Sequence, residues 1–181
     1  MNYSEFLNMV PEFALVVSLL IVFCVDFCCS RCGSDRTKMM NILASLLLVG
    51  TAVVSATSEP TSAFGGIYVT SQAINVMKAI LAFGSLIVVV MANPWVEKNW
   101  KHAGEFYMLI ISTLLGMFVM MSSGSFLMFF LGLEMASVPL ACMVAFDRDR
   151  KESAEGAAKY ILVATFSSGV MLFGISFIYA A

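Results

Sequence analysis

The stretch FFLGLEMASVPL contains one acid, Glu134, in an otherwise apolar run. The nearest charged residues along the chain are Glu105 and Asp147. If the run crosses a bilayer, Glu134 lies near the middle of the membrane, where charge is costly and ionisable groups often belong to ion or proton pathways. A carboxyl group at that depth could take up and release a proton. The alternative is a permanent ion pair that locks two helices together.

Lys159 is the second candidate for proton transfer. Glu155 precedes it by four residues, which is the spacing of a helical Glu–Lys pair. Two interpretations stay open: a surface pair with Glu155, or a lysine that faces the helix bundle near Glu134. Further ionisable residues lie close to the ends of apolar segments, where long side chains can reach the interface: Glu12, Asp26 and Lys78. Lys78, Glu155 and Asp26 are secondary candidates for the proton pathway.

Six apolar segments position these residues. The chain of 181 residues is 60% hydrophobic and only 12% charged, whereas soluble domains average about 25% charged residues. A helix needs about 20 mostly apolar residues to cross a bilayer. The sequence therefore predicts an all-α integral membrane protein, a single membrane domain over residues 1–181, with spans near residues 11–29, 39–57, 74–92, 106–122, 126–146 and 159–180.

Turn-forming residues separate the predicted spans. Pro11 suits a first helical turn, and we expect Asn93-Pro94 to end the third span. Ser122–Ser125 predicts a tight turn between the fourth and fifth spans. The longest connection, residues 58–73, has a β-prone patch at Ile67–Val69, so a small hairpin and an irregular loop both fit.

The basic residues predict the orientation in the membrane. Eight of the ten Lys and Arg residues lie in alternate connections: Arg31, Arg36, Lys38, Lys98, Lys101, Arg148, Arg150 and Lys151. The positive-inside rule places these connections in the cytoplasm and both termini on the non-cytoplasmic side. No basic region and small-residue cleavage site open the chain, so we expect no removed signal peptide.

Several other functions find no support in the sequence. A net charge of −2 argues against nucleic-acid binding. The cysteines at 24, 28, 29 and 32 do not form two CxxC motifs that could pair, so we expect reduced thiols rather than a metal or iron–sulfur site. His102 has no metal-ligating partner at suitable spacing, and we expect a solvated loop residue. We find no motif for a flavin, an iron–sulfur cluster or NADH.

Three stretches carry a resemblance to a known family: GEFYMLIISTLLGMFVMMSS, FLMFFLGLEMASVPL and AFDRDRKESAEGAAKYILVATFSSGVMLFGISFIYA. They resemble subunit N of the proton-pumping NADH:quinone oxidoreductase, respiratory complex I, an antiporter-like membrane subunit. The most specific elements are FLGLE with Pro139 five residues after the acid, and Glu155 followed by Lys159 and Tyr160. The GLE form favours subunit N over its two paralogues, which usually have a tryptophan before the acid.

The resemblance implies roles for individual residues. Glu134 matches the key acid of the fifth transmembrane helix, and Lys159 matches the lysine of the sixth. In the family both belong to an intramembrane chain of protonatable groups that couples electron transfer to quinone with proton translocation. FMN, the iron–sulfur clusters, NADH and quinone are then expected elsewhere in the complex, with no cofactor on this chain. The implied partners are the lipid bilayer and the other membrane subunits, in a bacterial inner membrane.

The chain also departs from the family pattern. Family members have about fourteen spans in two inverted repeats, so the six spans here imply an N-terminal part of a larger bundle: a fragment, a split subunit or a truncated product. The lysine of the broken seventh helix lies outside it. Ala141 stands where an aromatic residue is common. Two alternatives stay open: a subunit of a multisubunit cation/proton antiporter or membrane-bound hydrogenase, and a non-transporting membrane scaffold.

Overall fold

The computed structural model describes residues 9–28, 35–98, 103–147 and 150–180. These residues form six α-helices and one small hairpin. The helices are α1 Val10–Cys28, α2 Asp35–Thr57, α3 Gln72–Lys98, α4 Ala103–Met121, α5 Phe126–Val144 and α6 Lys151–Ala180. All six are long and apolar enough to cross a membrane. The predicted all-α membrane fold is therefore confirmed.

Helix α4 lies at the centre of the bundle. It packs against α1, α3 and α5, while α2 packs mainly against α3, and α6 packs against α5. Core side chains from several helices meet around it, among them Leu15, Leu48, Ile111 and Phe118. By contrast, large apolar side chains cover the outward faces, especially along α6. Such faces suit contact with lipid tails or with further apolar helices, because both are as apolar as the exposed side chains.

The connection between α2 and α3 forms a short hairpin. Strand β1 (Ser62–Ala63) pairs antiparallel with strand β2 (Tyr68–Val69) across a 3₁₀ turn at Phe64–Gly66. Phe64, Gly65 and Gly66 all have positive φ, and the two glycines adopt that conformation without steric cost. Of the two forms expected for this segment, the small hairpin is the one found.

The expectation that Asn93-Pro94 ends the third span is wrong, because α3 continues through Pro94 to Lys98. Proline removes one backbone hydrogen bond, but packing can offset that loss. Beyond the proline, Val96 is buried, and the Trp95 ring lies 5.8 Å from the rings of both Phe106 and Phe146. These contacts between the ends of α3, α4 and α5 stabilise the last turn of α3.

Helix α6 begins at Lys151, eight residues before the predicted span at residues 159–180. The difference has a simple cause: hydropathy marks the membrane-level part of a helix, whereas the helix itself extends into the polar interface. Ser125 gives α5 a well-defined beginning, since its side-chain oxygen accepts a hydrogen bond from the Met128 N–H at 3.2 Å.

Candidate functional site

Glu134 lies at the middle of α5, beside α6. It lines a small cavity of about 40 Å³ whose wall includes Ser137 of α5 and Tyr160 and Thr165 of α6. Its side chain is partly buried. Within the described residues, its carboxylate makes no hydrogen bond or ion pair. The permanent ion pair that the sequence left open for Glu134 is therefore not formed within the described part of the chain.

Two hydroxyl groups of this cavity donate to their own helices. The Ser137 hydroxyl donates to the Glu134 backbone carbonyl at 3.2 Å, and the Thr165 hydroxyl donates to the Ile161 carbonyl at 2.7 Å. Because each hydroxyl hydrogen is engaged, the oxygen lone pairs remain as acceptors. These two oxygens can therefore accept a hydrogen bond from a protonated carboxyl group.

Close backbone packing holds the opposite side of α5 against α4. A Cβ added to Gly116 would overlap the backbone of Ala136, and a Cβ added to Gly132 would overlap the backbone of Met120. These two contacts lie on either side of Glu134 along the helix. They fix the rotation of α5 that presents Glu134 to α6.

Lys159 forms an ion pair with Glu155. The Lys159 ammonium nitrogen lies 2.6 Å from the Glu155 carboxylate, and the two side chains are 72% and 66% exposed. Among the described residues, no ion pair joins Lys159 to Glu134. The pair predicted from the four-residue spacing is therefore present, on a face of α6 that the described helices leave uncovered.

Glu12 and Lys78 form a second ion pair, and this one is buried. The Lys78 Nζ lies 2.6 Å from Glu12 Oε1, with Lys78 0% and Glu12 4% exposed. The sequence left open that these two side chains reach the membrane interface, and the structure instead buries both. The reason is tertiary: the hairpin and the α4–α5 turn cover this end of α1 and α3, so neither residue has access to water.

Three donors from the described part of the chain bind the Glu12 carboxylate. Besides Lys78, the Tyr68 hydroxyl donates to Oε2 at 2.8 Å and the Ser122 hydroxyl donates to Oε1 at 3.0 Å. The Lys78 ammonium also lies 5.5 Å from the Tyr68 ring centroid and 5.7 Å from that of Phe118. Burial, together with the neighbouring Glu12 carboxylate, raises the pKa of the Tyr68 phenol well above its usual value.

Sequence reasoning missed Tyr68 and Ser122 as partners of Glu12, and it missed the pairing itself. One signal was available. The predicted orientation puts the start of α1 and the start of α3 on the same side of the membrane, and these two starts carry opposite charges. Two buried or half-buried charges at one level of a bundle pair readily, since each lowers the desolvation cost of the other.

The remaining candidates lie apart from Glu134. Asp26, in the last turn of α1, packs against Gly104 in the first turn of α4, where an added Cβ would overlap its carboxylate. Cys24 and Cys28 are free thiols. His102 and the cysteines at 29 and 32 lie outside the described residues. The described residues include no group of three His, Cys, Asp or Glu side chains that could hold a metal ion.

Six apolar helices, with an acid in the middle of one and ion pairs near the ends of others, define a polytopic membrane protein. A family model described as "NADH:quinone oxidoreductase/Mrp antiporter, TM" matches residues 123–181, which contain the Glu134 cavity.

Similar proteins cover the whole chain. It is 41% identical to NADH-quinone oxidoreductase subunit N of Azobacteroides pseudotrichonymphae genomovar. CFP2, over 100% of this chain and 38% of the relative. The subunit N proteins of Phocaeicola vulgatus and Neisseria gonorrhoeae are 40% and 34% identical, over 99% and 100% of this chain and 38% of each relative. The chain is thus similar over its whole length to NADH-quinone oxidoreductase subunit N, and it spans about 38% of the length of these curated relatives. This confirms the resemblance inferred from the sequence.

Proposed function

We propose that this chain serves as a membrane subunit of an NADH:quinone oxidoreductase and couples electron transfer to quinone with proton translocation. The similarity to subunit N supports the complex, because the similar proteins are subunits of that oxidoreductase by name. The position of Glu134 supports proton transfer, since this mid-membrane acid has no ion-pair partner among the described residues and lies beside a cavity lined by hydroxyl groups. That position is the observation that carries the proposal. In this role the chain is part of a translocase.

Glu134 alternates between two protonation states in this mechanism. When it is protonated, its O–H donates to a hydroxyl oxygen of the cavity, such as that of Ser137 or Thr165. When it releases the proton, the carboxylate has no ion-pair partner among the described residues. An acid beside hydroxyl acceptors and without an ion-pair partner among the described residues is suited to pass protons rather than to hold one helix against another.

Lys159 is the second member of the proton-transfer chain in our proposal. While paired with Glu155, its charge is largely neutralised. If a change in charge elsewhere in the complex separates the pair, the free ammonium group on α6 favours the ionised form of Glu134 on α5. Glu155 then controls when the Lys159 charge acts on Glu134. Asp26 remains a secondary candidate for the same chain, whereas Lys78 is held in its buried pair with Glu12.

The proposed setting follows from the family and the loops. The subunit lies in a bacterial inner membrane with both ends of this stretch on the non-cytoplasmic side, as the basic connections predict. Other membrane subunits and lipid cover the apolar faces. FMN, the iron–sulfur clusters, NADH and quinone act on other subunits, and this chain contributes proton-transferring side chains.

Glu134→Gln and Glu134→Asp in the assembled oxidoreductase test the proposal. We expect Glu134→Gln to lower NADH oxidation with quinone as acceptor by on the order of tenfold or more. NADH oxidation with an artificial acceptor, which needs no membrane subunit, should be unchanged, and the amount of assembled complex is measured separately by quantifying the purified complex. Glu134→Asp should restore part of the coupled rate. A wild-type coupled rate in Glu134→Gln would refute the proton-transfer role.

A second candidate function is a subunit of a multisubunit cation/proton antiporter. The matching family model includes Mrp antiporters in its description, which favours this alternative over a scaffold without transport. Purification separates the two functions. Co-purification with flavin and iron–sulfur subunits supports the oxidoreductase, whereas co-purification with other antiporter chains and Na⁺-dependent proton movement without NADH supports the antiporter.

A further inference from the structure

The buried pair of Glu12 and Lys78 lies at the junction of four separate pieces of the chain. Glu12 comes from the first turn of α1 and Lys78 from the second turn of α3. Tyr68 comes from β2, and Ser122 from the turn between α4 and α5. One carboxylate thus binds three donors from three different segments, at 2.6 Å, 2.8 Å and 3.0 Å. We define these four residues as the Glu12 cluster.

Backbone hydrogen bonds continue from the Glu12 cluster into the α4–α5 turn. The Val69 N–H donates to the Ser122 carbonyl at 3.0 Å, and the Gly124 N–H donates to the Ile67 carbonyl at 2.6 Å. Tyr68 and Ser123 form a β-bridge. At Gly124 any Cβ would overlap the Gly66 carbonyl oxygen, so the turn and the hairpin are in direct backbone contact. The hairpin therefore holds the turn as an additional strand would.

The α4–α5 turn also fixes the position at which α5 begins. Ser125 follows Gly124 directly and caps the helix through the Met128 N–H. Glu134 is nine residues further along, about 13 Å at 1.5 Å per residue. Because a helix transmits a displacement of its end along its axis, the Glu12 cluster influences where Glu134 lies relative to α6.

We propose that Glu12 and Lys78 are positioning residues for Glu134, acting through Ser122 and the α4–α5 turn. This inference rests on the proposed function, since it assigns these residues to the proton-transfer site without placing them on the proton path. Their own burial supports a fixed role. Neither side chain is open to water, and the three donors hold the Glu12 carboxylate in place.

The test compares Glu12→Gln, Lys78→Met and the double variant in the assembled oxidoreductase. Glu59→Gln, an exposed acid of the same connection, is the matched control. Each single variant leaves a buried charged group without its partner, whereas the double variant leaves two neutral side chains of similar size. We expect each single variant to lower the quinone-coupled rate per assembled complex by on the order of tenfold. The pH profile of that rate should shift in both.

The double variant decides between positioning and transfer. Positioning predicts that it regains the coupled rate to within about twofold and the wild-type pH profile, because the turn is no longer displaced by an unpaired charge. A double variant as inactive as the singles would place the pair on the proton path and overturn the inference. Single variants that only lower the amount of assembled complex, with a normal rate and pH profile, would overturn it as well.

The outcomes also separate this inference from the proposed function. A wild-type rate in Glu134→Gln refutes the proposed function itself. An impaired Glu134→Gln together with a wild-type rate in Glu12→Gln and Lys78→Met refutes only the positioning role.

Discussion

The backbone of Gly116 in α4 lies directly against the backbone of Ala136 in α5, at a separation that leaves no room for a Cβ. Gly132 makes the equivalent contact with Met120 one turn earlier in α5. Small residues let two helices approach closely in a membrane, where packing supplies most of the attraction. Glu134 lies between these contact points along α5 and lines the cavity toward α6.

We predict that Gly116→Ala destabilises the protein by about 1–3 kcal/mol, as overpacking typically does. The added methyl group meets backbone rather than a movable side chain, so α4 and α5 must separate. Gly50→Ala on α2 is the matched control, because an added Cβ there meets nothing within 4 Å. Thermal unfolding in detergent measures both. Equal midpoints for the two variants would contradict the close contact.

Ionisation of Tyr68 should lower the free energy of unfolding at alkaline pH. Its pKa in the folded protein is raised above the usual value near 10, so the folded state keeps the proton at a pH where the unfolded chain releases it. This contribution to stability is complete below about pH 10 and is lost as the pH rises further. The unfolding midpoint of Tyr68→Phe should therefore fall less steeply above pH 10 than that of the wild type. Parallel curves would show that Tyr68 ionises freely.

Tyr68→Phe should also lower stability at neutral pH. The variant removes a hydrogen bond to a buried carboxylate, and such bonds to charged groups contribute about 1.5–3 kcal/mol. Ser62→Ala in the same hairpin, an exposed position, serves as the comparison. A loss no larger than that of Ser62→Ala at pH 7, measured by thermal unfolding, would mean that the bond contributes little.

The fold was largely predictable because six apolar stretches of bilayer length leave few alternatives. Two boundaries were not predictable for specific reasons. Packing of Trp95 on Phe106 and Phe146 carries α3 past Pro94, and this tertiary contact is invisible in the local sequence. Likewise, Lys151 begins α6 in a polar stretch that hydropathy does not count as membrane.

The candidate site was predictable only in part. Glu134 was identified because no charged residue lies near it along the chain, and a mid-membrane acid follows from that alone. The Glu12 cluster was missed because its members are brought together by a hairpin whose geometry depends on three residues with positive φ, at 64–66. The position of a residue within an apolar span gives its depth in the membrane, whereas the pairing of Glu12 with Lys78 depends on which helices pack against each other.

Glu155 and Lys159 should differ in their effects although they form one pair. Because both side chains are exposed on the described helices, Glu155→Gln and Lys159→Gln should each change stability by less than about 0.5 kcal/mol. Lys159→Gln should lower the quinone-coupled rate several-fold more than Glu155→Gln if the ammonium charge acts on Glu134. The measurement is the coupled rate per assembled complex. Equal rates in the two variants would favour a surface pair without a role in transfer.

Proton uptake by inverted membrane vesicles during NADH oxidation tests the role of Glu134 most directly. The quantity is the initial uptake rate per assembled complex, compared between the wild type, Glu134→Gln and the loop control Glu59→Gln. We predict that Glu134→Gln takes up protons on the order of tenfold more slowly, while Glu59→Gln equals the wild type. A wild-type uptake rate in Glu134→Gln would contradict the proposal that this carboxyl group carries the translocated proton.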